Sequence, residues 1–342
     1  MKLAIVNDMP IAVEILRRFV TADGKHEIIW VAENGQIAVE KCAHKVPDLI
    51  LMDLIMPVMN GVESTRWIMK LTPCPILLVT ANVAGNSGLV FEAMGAGALD
   101  VVATPILDKD KGEGGQELLQ KIDRIGKIVG INEPSVSQTL NQAKLKRPNL
   151  HDRGACLVAI GSSTGGPKAL LNILQTIPAK STASFVVIQH MDELFSRGMA
   201  DWLDSQVNLK VRVLKEGELP QPGVVLIPST NHHVIMYPNK SIGYSVEQKE
   251  SFYHPSVDIF FNSVARYWRG RCIGIILTGM GRDGAEGLLA LRQQGYVTIA
   301  QDQKSSVVFG MPKAAIEIDA AQKILALDAI GLTINELLAM ER

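Results

Sequence analysis

The sequence is poor in cysteine, and no two of its cysteines stand at a metal-ligating or redox spacing. The four cysteines among 342 residues are Cys42, Cys74, Cys156 and Cys272. None of them forms a C-x-x-C motif, so the patterns of a zinc site and of a disulfide-bonded secreted scaffold are missing. We therefore expect buried free thiols in a reducing compartment, which for this chain is the cytoplasm.

Long apolar runs and an excess of charge of either sign are also missing. No segment approaches the roughly 20 apolar residues of a membrane-spanning helix, and the apolar run near the N-terminus is too short for a signal peptide. The formal net charge of -1 gives no positive field that would attract nucleic acid or an anionic membrane. We expect no nucleic-acid partner and no direct membrane insertion. The 47% hydrophobic content and the length instead predict two or three folded domains.

Apolar segments of strand length alternate with helical segments through residues 1–130. A helix is predicted after the first strand, with Ile11, Ile15 and Phe19 on one stripe. Short strand–helix repeats of this kind predict a parallel, doubly wound α/β sheet with its chemistry at the carboxyl ends of the strands. The predicted strands are 3–6, 28–32, 49–52, 76–79 and 99–103.

Polar side chains follow several of these strands at the point where the strand ends. Asn7 and Asp8 follow the first strand, Asp53 follows the third, and Thr80 follows the fourth. Carboxyl ends of parallel strands meet at one edge, so these side chains should lie together. Two carboxylates, Asp8 and Asp53, beside a hydroxyl predict a Mg²⁺ site, because this hard cation prefers oxygen ligands.

The motif around Asp53 resembles that of a response-regulator receiver domain. The string is M-D-L-I-M-P-V-M-N-G, and Asp8 and Thr80 stand at the offsets of that family. The resemblance covers residues 1–130 and implies a flavodoxin-like fold. It also implies that Asp53 accepts a phosphoryl group, that Thr80 is the switch residue, and that Mg²⁺ binds at Asp8 and Asp53.

Two residues depart from the receiver pattern. The family has two acids where this chain has Asn7 and then Asp8, so the metal site loses one charge. The family also has a lysine where this chain has Thr104, and that lysine would reach the phosphoryl oxygens as a point charge. Phosphorylation is therefore expected to be either weaker or read out differently.

A polar segment separates the two halves of the chain. Residues 131–153 lack a periodic apolar pattern, which is typical of an interdomain linker. Residues 154–342 return to alternating strands and helices, which predicts a second doubly wound parallel-sheet domain. This half includes an amphipathic helix predicted over residues 256–268, with Ser256 as its N-cap.

The second half begins with a strand, a tight turn and a helix that suit a nucleophilic serine. The apolar residues 156–160 precede the string G-S-S-T-G, which fits the G-x-S-x-G pattern centred on Ser163. A sharp turn there lifts the hydroxyl out of the sheet, and the helix from Pro167 directs N–H groups toward developing negative charge. Turns of this composition also close a strand–helix connection, or hold a phosphate, without catalysing anything.

Two further strand ends supply partners for Ser163. The strand 185–189 ends at His190, and the strand 272–277 runs into a glycine-rich loop that carries Asp283. Because the carboxyl ends of parallel strands share one edge, we expect Ser163, His190 and Asp283 to form a catalytic triad there.

Alternatives remain open at both partners of the serine. His232, His233 and His254 compete with His190 for the role of general base. Capping of the helix that follows it is the alternative role of Asp283.

Four motifs of the second half resemble the methylesterase domain of the CheB family, which are chemotaxis protein-glutamate methylesterases with a receiver fused in front. The motifs, in order, are A-I-G-S-S-T-G-G, Q-H-M, H-P-S-V-D and L-T-G-M-G-R-D-G. This resemblance implies a Rossmann-like domain in which Ser163 is the nucleophile, His190 the general base and Asp283 its orienter. The strings V-N-D-M-P and A-L-D-V-V-A-T-P more closely resemble the branch of the family in Wsp-type surface-sensing pathways.

The family implies a reaction, a substrate and a mode of regulation. The substrate is a glutamyl methyl ester on the cytoplasmic helices of methyl-accepting receptors, and the same residues deamidate receptor glutamines. Backbone N–H groups of Thr164 and Met280 are expected to hold the oxyanion. No cofactor is expected for the esterase itself. A CheA-type histidine kinase is the implied phosphodonor for Asp53, with Mg²⁺ in the receiver, and phosphorylation relieves inhibition of the esterase.

Two other functions compete with this interpretation. A dinucleotide-binding domain is disfavoured because G-x-G-x-x-G is absent and Gln189-His190 stands where a ribose-binding acid belongs. The second is a non-enzymatic two-component adaptor with a receiver input and an inert output domain. The presence of Ser163, His190 and Asp283 disfavours it.

Overall fold

Two separate parallel sheets form from the alternating apolar segments. The computed structural model describes residues 1–22, 24–81, 85–105, 113–129, 155–245 and 254–340. The chain divides into two units, residues 1–139 and 140–342. The predicted linker, 131–153, and the predicted domain boundaries on either side of it lie outside the described residues.

The first unit is built on a five-stranded parallel sheet. Its strands are β1 (Lys2–Val6), β2 (Glu27–Ala32), β3 (Leu49–Met52), β4 (Ile76–Thr80) and β5 (Asp100–Ala103). Its helices are α1 (Pro10–Thr21), α2 (Gly35–His44), α3 (Gly61–Leu71), α4 (Ser87–Ala96) and α5 (Glu113–Val129). The strand order β2-β1-β3-β4-β5 is the flavodoxin-like order that the sequence predicts. Every residue of β3 and β4 is buried, as expected of central strands in a parallel sheet with helices on both faces.

Helix α1 is present as predicted, but its fully buried residues are not those of the stripe noted in the sequence. The residues of α1 that reach the core are Leu16 and Val20, whereas Ile11 is 72% exposed. The predicted stripe of Ile11, Ile15 and Phe19 therefore does not face the sheet as a unit. Apolar residues occupy two neighbouring stripes of this helix, and packing against the sheet, which periodicity alone does not reveal, selects one of them.

The second unit is built on a seven-stranded parallel sheet and a separate hairpin. The sheet strands are β6 (Cys156–Ser162), β7 (Ala183–Gln189), β8 (Lys210–Val213), β9 (Val224–Ile227), β12 (Arg271–Ile276), β13 (Val297–Gln301) and β14 (Lys323–Leu325), and the antiparallel hairpin is β10 (His233–Met236) with β11 (Ile242–Ser245). The helices are α6 (Gly166–Gln175), α7 (Glu193–Gln206), α8 (Val257–Tyr267), α9 (Ala285–Gln293), α10 (Met311–Glu317) and α11 (Leu327–Ala339).

The order of the second sheet places its ligand-binding crevice. The strands run β14-β13-β12-β6-β7-β9-β8, so the chain order reverses between β6 and β12, as in a Rossmann-like sheet. Ligands of such sheets bind outside the carboxyl ends of the strands at that reversal. None of the helices in the described part of the chain is long and apolar enough to cross a membrane.

Candidate active site

The turn after β6 separates two adjacent serines into different environments. Ser162 ends the strand fully buried, and its hydroxyl donates to Oε1 of Gln189 at 2.6 Å. Ser163 is partly exposed, and its backbone N–H donates to the carbonyl of Thr278 at 3.0 Å, which ties the turn to the end of β12. Gly165 then takes a left-handed conformation, with φ of 77°, before α6 begins. The exposed serine is thus the one centred in the G-x-S-x-G pattern.

The register of β6 and β7 places His190 beside Ser163. In the parallel pair of β6 and β7, Ser162 lies opposite Gln189, so Ser163 and His190 are the next residues on neighbouring strands. The backbone N–H of His190 donates to the carbonyl of Ser162 at 3.0 Å. The side chain of His190 is 10% exposed.

His190 and Asp283 form a hydrogen-bonded pair. Nε2 of His190 lies 2.7 Å from Oδ2 of Asp283, whose side chain is 5% exposed. The alternative role of Asp283, capping the helix that follows it, is wrong. The N-cap of α9 is Gly284, which has no side chain to cap with, and the Asp283 carboxylate turns toward a different helix.

That helix is α8, whose N-terminus supplies three donors to the carboxylate of Asp283. The hydroxyl of Ser256 donates to Oδ1 at 2.7 Å. The backbone N–H groups of Val257 and Asp258 donate to Oδ2 at 2.6 Å and to Oδ1 at 3.2 Å. A helix N-terminus carries partial positive charge and unpaired N–H groups, so it favours the ionised carboxylate.

The two acids at this helix end have opposite pKa shifts. Burial raises the pKa of Asp283, but the hydrogen bond and charge of His190, with the bonds from Ser256 and Val257, outweigh it and hold the pKa below its usual range. Burial and the negative charge of Asp283 raise the pKa of Asp258 to about 6, although its carboxylate accepts the N–H of Gly287 at 2.7 Å. Asp283 is therefore ionised at neutral pH.

The peptide after Ser163 is turned so that its N–H is directed away from the buried strands. Its carbonyl, that of Ser163, accepts the N–H of Gly166 at 2.7 Å and Nε2 of Gln189 at 2.9 Å. The N–H and C=O of this trans peptide point in opposite directions. The N–H of Thr164 therefore points away from the buried amide of Gln189.

A second peptide with the same property lies in the loop after β12. The carbonyl of Gly279 accepts the N–H groups of Gly310 and Met311 at 3.1 and 2.9 Å, so the N–H of Met280 points away from the start of α10. Gly279 packs directly on the nucleophile turn, since a Cβ at this position would lie 2.7 Å from Cβ of Ser163. The two candidate oxyanion donors thus come from loops in contact with each other.

The competing histidines occupy other places. His232 and His254 are exposed, and the ring of His254 stacks on that of His233 with centroids 4.6 Å apart. His233 is buried, and its Nδ1 accepts the backbone N–H of Ser256 at 3.3 Å. The histidine that bonds to Asp283 is His190.

Sequence reasoning missed two residues that brace the site. The side-chain amide of Gln189 donates to the carbonyls of Ser163 and His190, at 2.9 and 3.1 Å. The hydroxyl of Thr278 donates to the carbonyl of Thr164 at 3.0 Å. The available signal was a polar residue at or just after the end of an otherwise apolar strand, where burial requires an internal partner.

The carboxyl edge of the first sheet has a different electrostatic character. Oδ2 of Asp53 accepts the side-chain amide of Asn7 at 3.0 Å, and Oδ1 accepts the N–H of Leu54 at 2.7 Å. Burial raises the pKa of Asp53; the bond from Leu54 opposes this, and the charge of Asp8 adds to it. The net shift is upward, because burial disfavours the charged carboxylate by more than these hydrogen bonds favour it.

The residues at this edge fit a divalent cation. Mg²⁺ is commonly held by one or two carboxylates and keeps several waters, and Asp8 and Asp53 supply two. Within the described ranges, no group of three or more His, Cys, Asp or Glu side chains is placed to hold a metal. Thr80 is buried beside them, with its hydroxyl accepting the amide of Asn86 at 3.2 Å, and its carbonyl accepts the N–H of Thr104 at 2.9 Å.

Comparison with known proteins agrees with both halves of this description. Residues 158–334 match the family model of the CheB methylesterase, and residues 3–113 match that of the response regulator receiver domain. A Pseudomonas putida protein named protein-glutamate methylesterase/protein-glutamine glutaminase of group 3 operon is 53% identical, over 99% of this chain and 100% of that relative. A Pseudomonas aeruginosa protein named protein-glutamate methylesterase/protein-glutamine glutaminase 3 is 48% identical, over 98% of this chain and 99% of the relative.

A solved structure resembles the second unit. The crystal structure of the Thermotoga maritima CheB methylesterase catalytic domain superposes with a TM-score of 0.51 at 36% identity, covering 53% of this chain and 97% of that one. Its coverage fits a domain of the size of the second unit. The chain therefore belongs to the CheB methylesterase family and carries a response regulator receiver domain ahead of its methylesterase domain.

Proposed function

We propose that the protein hydrolyses glutamyl methyl esters on the cytoplasmic helices of methyl-accepting receptors and deamidates receptor glutamines at the same site. The observation that carries this is the 2.7 Å bond between His190 and Asp283, formed one strand away from the partly exposed Ser163. A serine hydroxyl becomes a useful nucleophile only when a neighbouring base removes its proton and a carboxylate orients that base. The enzyme acts in the cytoplasm, where these receptor helices lie.

Acylation uses the three side chains in sequence. Ser163 attacks the ester carbonyl while His190 takes its proton. Because Asp283 bonds to Nε2, the ring nitrogen that accepts this proton is Nδ1. The N–H groups of Thr164 and Met280 hold the developing oxyanion, and each such donor is worth about 100- to 1,000-fold in rate.

Loss of methanol completes acylation, and deacylation then returns the enzyme to its starting state. His190 gives its proton to the methoxy oxygen as the bond between that oxygen and the carbonyl carbon breaks, so methanol departs and a glutamyl ester remains on Ser163. Water then attacks that ester with His190 again as the base, which releases the glutamate and the serine. A glutamine substrate follows the same course with ammonia as the leaving group.

Phosphorylation of the receiver regulates the esterase in this proposal. Asp53 accepts a phosphoryl group from a histidine kinase of the CheA type, and Thr80 is the switch residue. Asp8 and Asp53 would hold Mg²⁺, which when bound would supply positive charge to stabilise the phosphoryl group. Burial raises the pKa of Asp53 and the nearby charge of Asp8 adds to it, so two carboxylates close together support a site that a cation would stabilise.

Methanol release from methylated receptor, with and without a small phosphodonor such as acetyl phosphate and Mg²⁺, tests the proposal. The full chain should release methanol, and the phosphodonor should raise the rate. Asp53→Asn is the matched control, which should keep the basal rate and lose the stimulation. No release under either condition would favour the non-enzymatic adaptor.

A further inference from the structure

Ser256 connects a buried histidine to the catalytic pair. Its hydroxyl donates to Oδ1 of Asp283 at 2.7 Å, and its backbone N–H donates to Nδ1 of His233 at 3.3 Å. Ser256 and His233 are each 2% exposed, so both bonds are shielded from water. The hydrogen-bonded series His233–Ser256–Asp283–His190 therefore runs behind the pair that faces the substrate.

The geometry of Ser256 is not that of a residue that only caps a helix. An N-cap hydroxyl accepts an N–H from the first turn, and here that bond, from Ile259, is long at 3.4 Å. The bond that the same hydroxyl donates to Asp283 is 2.7 Å and has a charged acceptor, which makes it the stronger of the two. An aspartate would cap α8 equally well but has no proton to donate.

Donors on both oxygens fix the orientation of Asp283. Oδ1 accepts from Ser256 and from the N–H of Asp258, while Oδ2 accepts from His190 and from the N–H of Val257. A carboxylate held on both sides does not rotate freely, so the ring bonded to it keeps one orientation. Ser256 is the one side-chain donor of the three that α8 and its cap supply.

We propose that Ser256 is a positioning residue of the esterase, which holds Asp283 through its hydroxyl while the neutral ring of His233 holds Ser256 through its backbone N–H. This rests on the proposed function, because it concerns the same triad. The hydroxyl fixes the carboxylate and draws off part of its charge. Without it, the more basic Asp283 favours the charged imidazolium of His190, so a higher pH is needed to obtain the neutral base.

Within the described ranges, other ionisable neighbours of the pair can be named. Asp258 faces Asp283 from the first turn of α8, and its pKa of about 6 falls in the range where an imidazole titrates. The ring of His233, which accepts the backbone N–H of Ser256, stacks on the ring of the exposed His254. Arg282 precedes Asp283 in the chain but is exposed and pairs with Glu317 at 3.2 Å.

The test measures kcat and KM for methanol release by the full chain from about pH 5 to 9, with phosphodonor present. Ser256→Ala should lower kcat about tenfold with KM unchanged, the factor that one hydrogen bond to a charged group is worth. The acid limb of kcat/KM should also move up by about half a pH unit. Ser256→Thr should restore both, whereas Ser256→Asp, which keeps a cap acceptor but adds a like charge, should be worse than alanine.

Ser263→Ala is the matched control on the same helix. The Ser263 hydroxyl donates to the carbonyl of Phe260 at 2.6 Å and accepts the N–H of Met236 at 2.8 Å, so it has no part in the triad. This variant should leave the acid limb in place. If Ser256→Ala fails to fold, the threonine and aspartate variants still decide.

Each outcome has a distinct meaning. An active wild-type chain whose Ser256→Ala variant keeps the same kcat and acid limb would overturn the positioning role alone. Equal kcat and equal limbs for the threonine and aspartate variants would do the same. A wild-type chain that releases no methanol would overturn the proposed function, and the positioning role with it.

Discussion

Asp283 and Asp53 stand at the carboxyl edges of two parallel sheets, and their surroundings push their charges in opposite directions. Burial raises the pKa of both. We call the carboxyl edge of the second sheet, which holds Asp283, the esterase edge, and that of the first sheet, which holds Asp53, the receiver edge. At Asp283 the contacts of His190 and α8 outweigh burial and lower the pKa. At Asp53, on the receiver edge, the charge of Asp8 adds to burial, and the net shift is upward.

The opposite pKa shifts show at which edge the chain itself stabilises the ionised carboxylate. The esterase edge balances its carboxylate with groups of the same chain, a requirement for an orienting acid that must stay ionised through each turnover. At the receiver edge, burial and the charge of Asp8 outweigh the described hydrogen bonds to Asp53, which suits a carboxylate that a bound cation would stabilise. The two edges share a fold pattern and differ in whether neighbouring groups of the chain stabilise the ionised carboxylate.

Replacing each aspartate by asparagine is expected to give the largest difference in kcat between the two edges. Asp283→Asn should lower kcat for methanol release by about 10,000-fold, because the amide neither fixes the tautomer of His190 nor stabilises its charged form. Asp53→Asn should leave the basal kcat unchanged. A kcat for Asp283→Asn within tenfold of wild type would remove the distinction.

Close packing at the esterase edge gives the next largest effect. Gly279→Ala places a Cβ 2.7 Å from Cβ of Ser163, so the nucleophile must shift. A displacement of this kind costs about 100-fold in kcat. Gly88→Ala is the control, since a Cβ there meets no atom within 4 Å. Equal kcat values for the two variants would show that the turn tolerates displacement.

Changing the charge at the receiver edge is expected to have a smaller effect. Adding an acid and removing one should shift the Mg²⁺ requirement of phosphorylation in opposite directions. Asn7→Asp adds a second acid beside Asp8 and should lower the Mg²⁺ concentration needed for half-maximal phosphorylation about tenfold. Asp8→Asn should raise it. Phosphorylation by acetyl phosphate across a Mg²⁺ titration measures both, and a common shift in one direction would contradict the charge account.

The smallest effect concerns stability and pH at the esterase edge. The pKa of Asp258 is raised from 3.8 to about 6 in the folded state, so the folded chain binds a proton there that the unfolded chain releases. The free energy of unfolding therefore falls as pH rises through this window. Asp258→Asn should flatten that fall, measured as urea midpoints from about pH 4 to 7. Parallel profiles for variant and wild type would contradict it.

Strand ends were predictable from sequence because an apolar run followed by a polar residue is a local signal. That signal led to Ser163, His190 and Asp53, and parallel topology implied which of them share an edge. Their catalytic and phosphoacceptor roles stay predictions. The α/β fold and both sheet classes are confirmed.

Contacts between distant segments were not predictable. Ser256 and Val257 reach Asp283 across 27 and 26 residues of chain, and no local pattern shows that the N-terminus of α8 turns toward that loop. The amide of Asn7 likewise turns to Asp53 across 46 residues. The three-residue strand β14 is too short for a periodic signal, and the exposed Ile11 shows that periodicity does not choose between two apolar stripes.

Methanol release by Ser163→Ala and Ser162→Ala, compared in the full chain with phosphodonor, tests whether Ser163 is the nucleophile. We expect at least about a thousandfold loss for Ser163→Ala, with receptor binding retained. We expect a loss within about tenfold for Ser162→Ala, whose hydroxyl makes one buried hydrogen bond to Gln189. Undiminished methanol release by Ser163→Ala would contradict the assignment of Ser163 as the nucleophile. An inactive Ser162→Ala variant together with an active Ser163→Ala variant would contradict it as well.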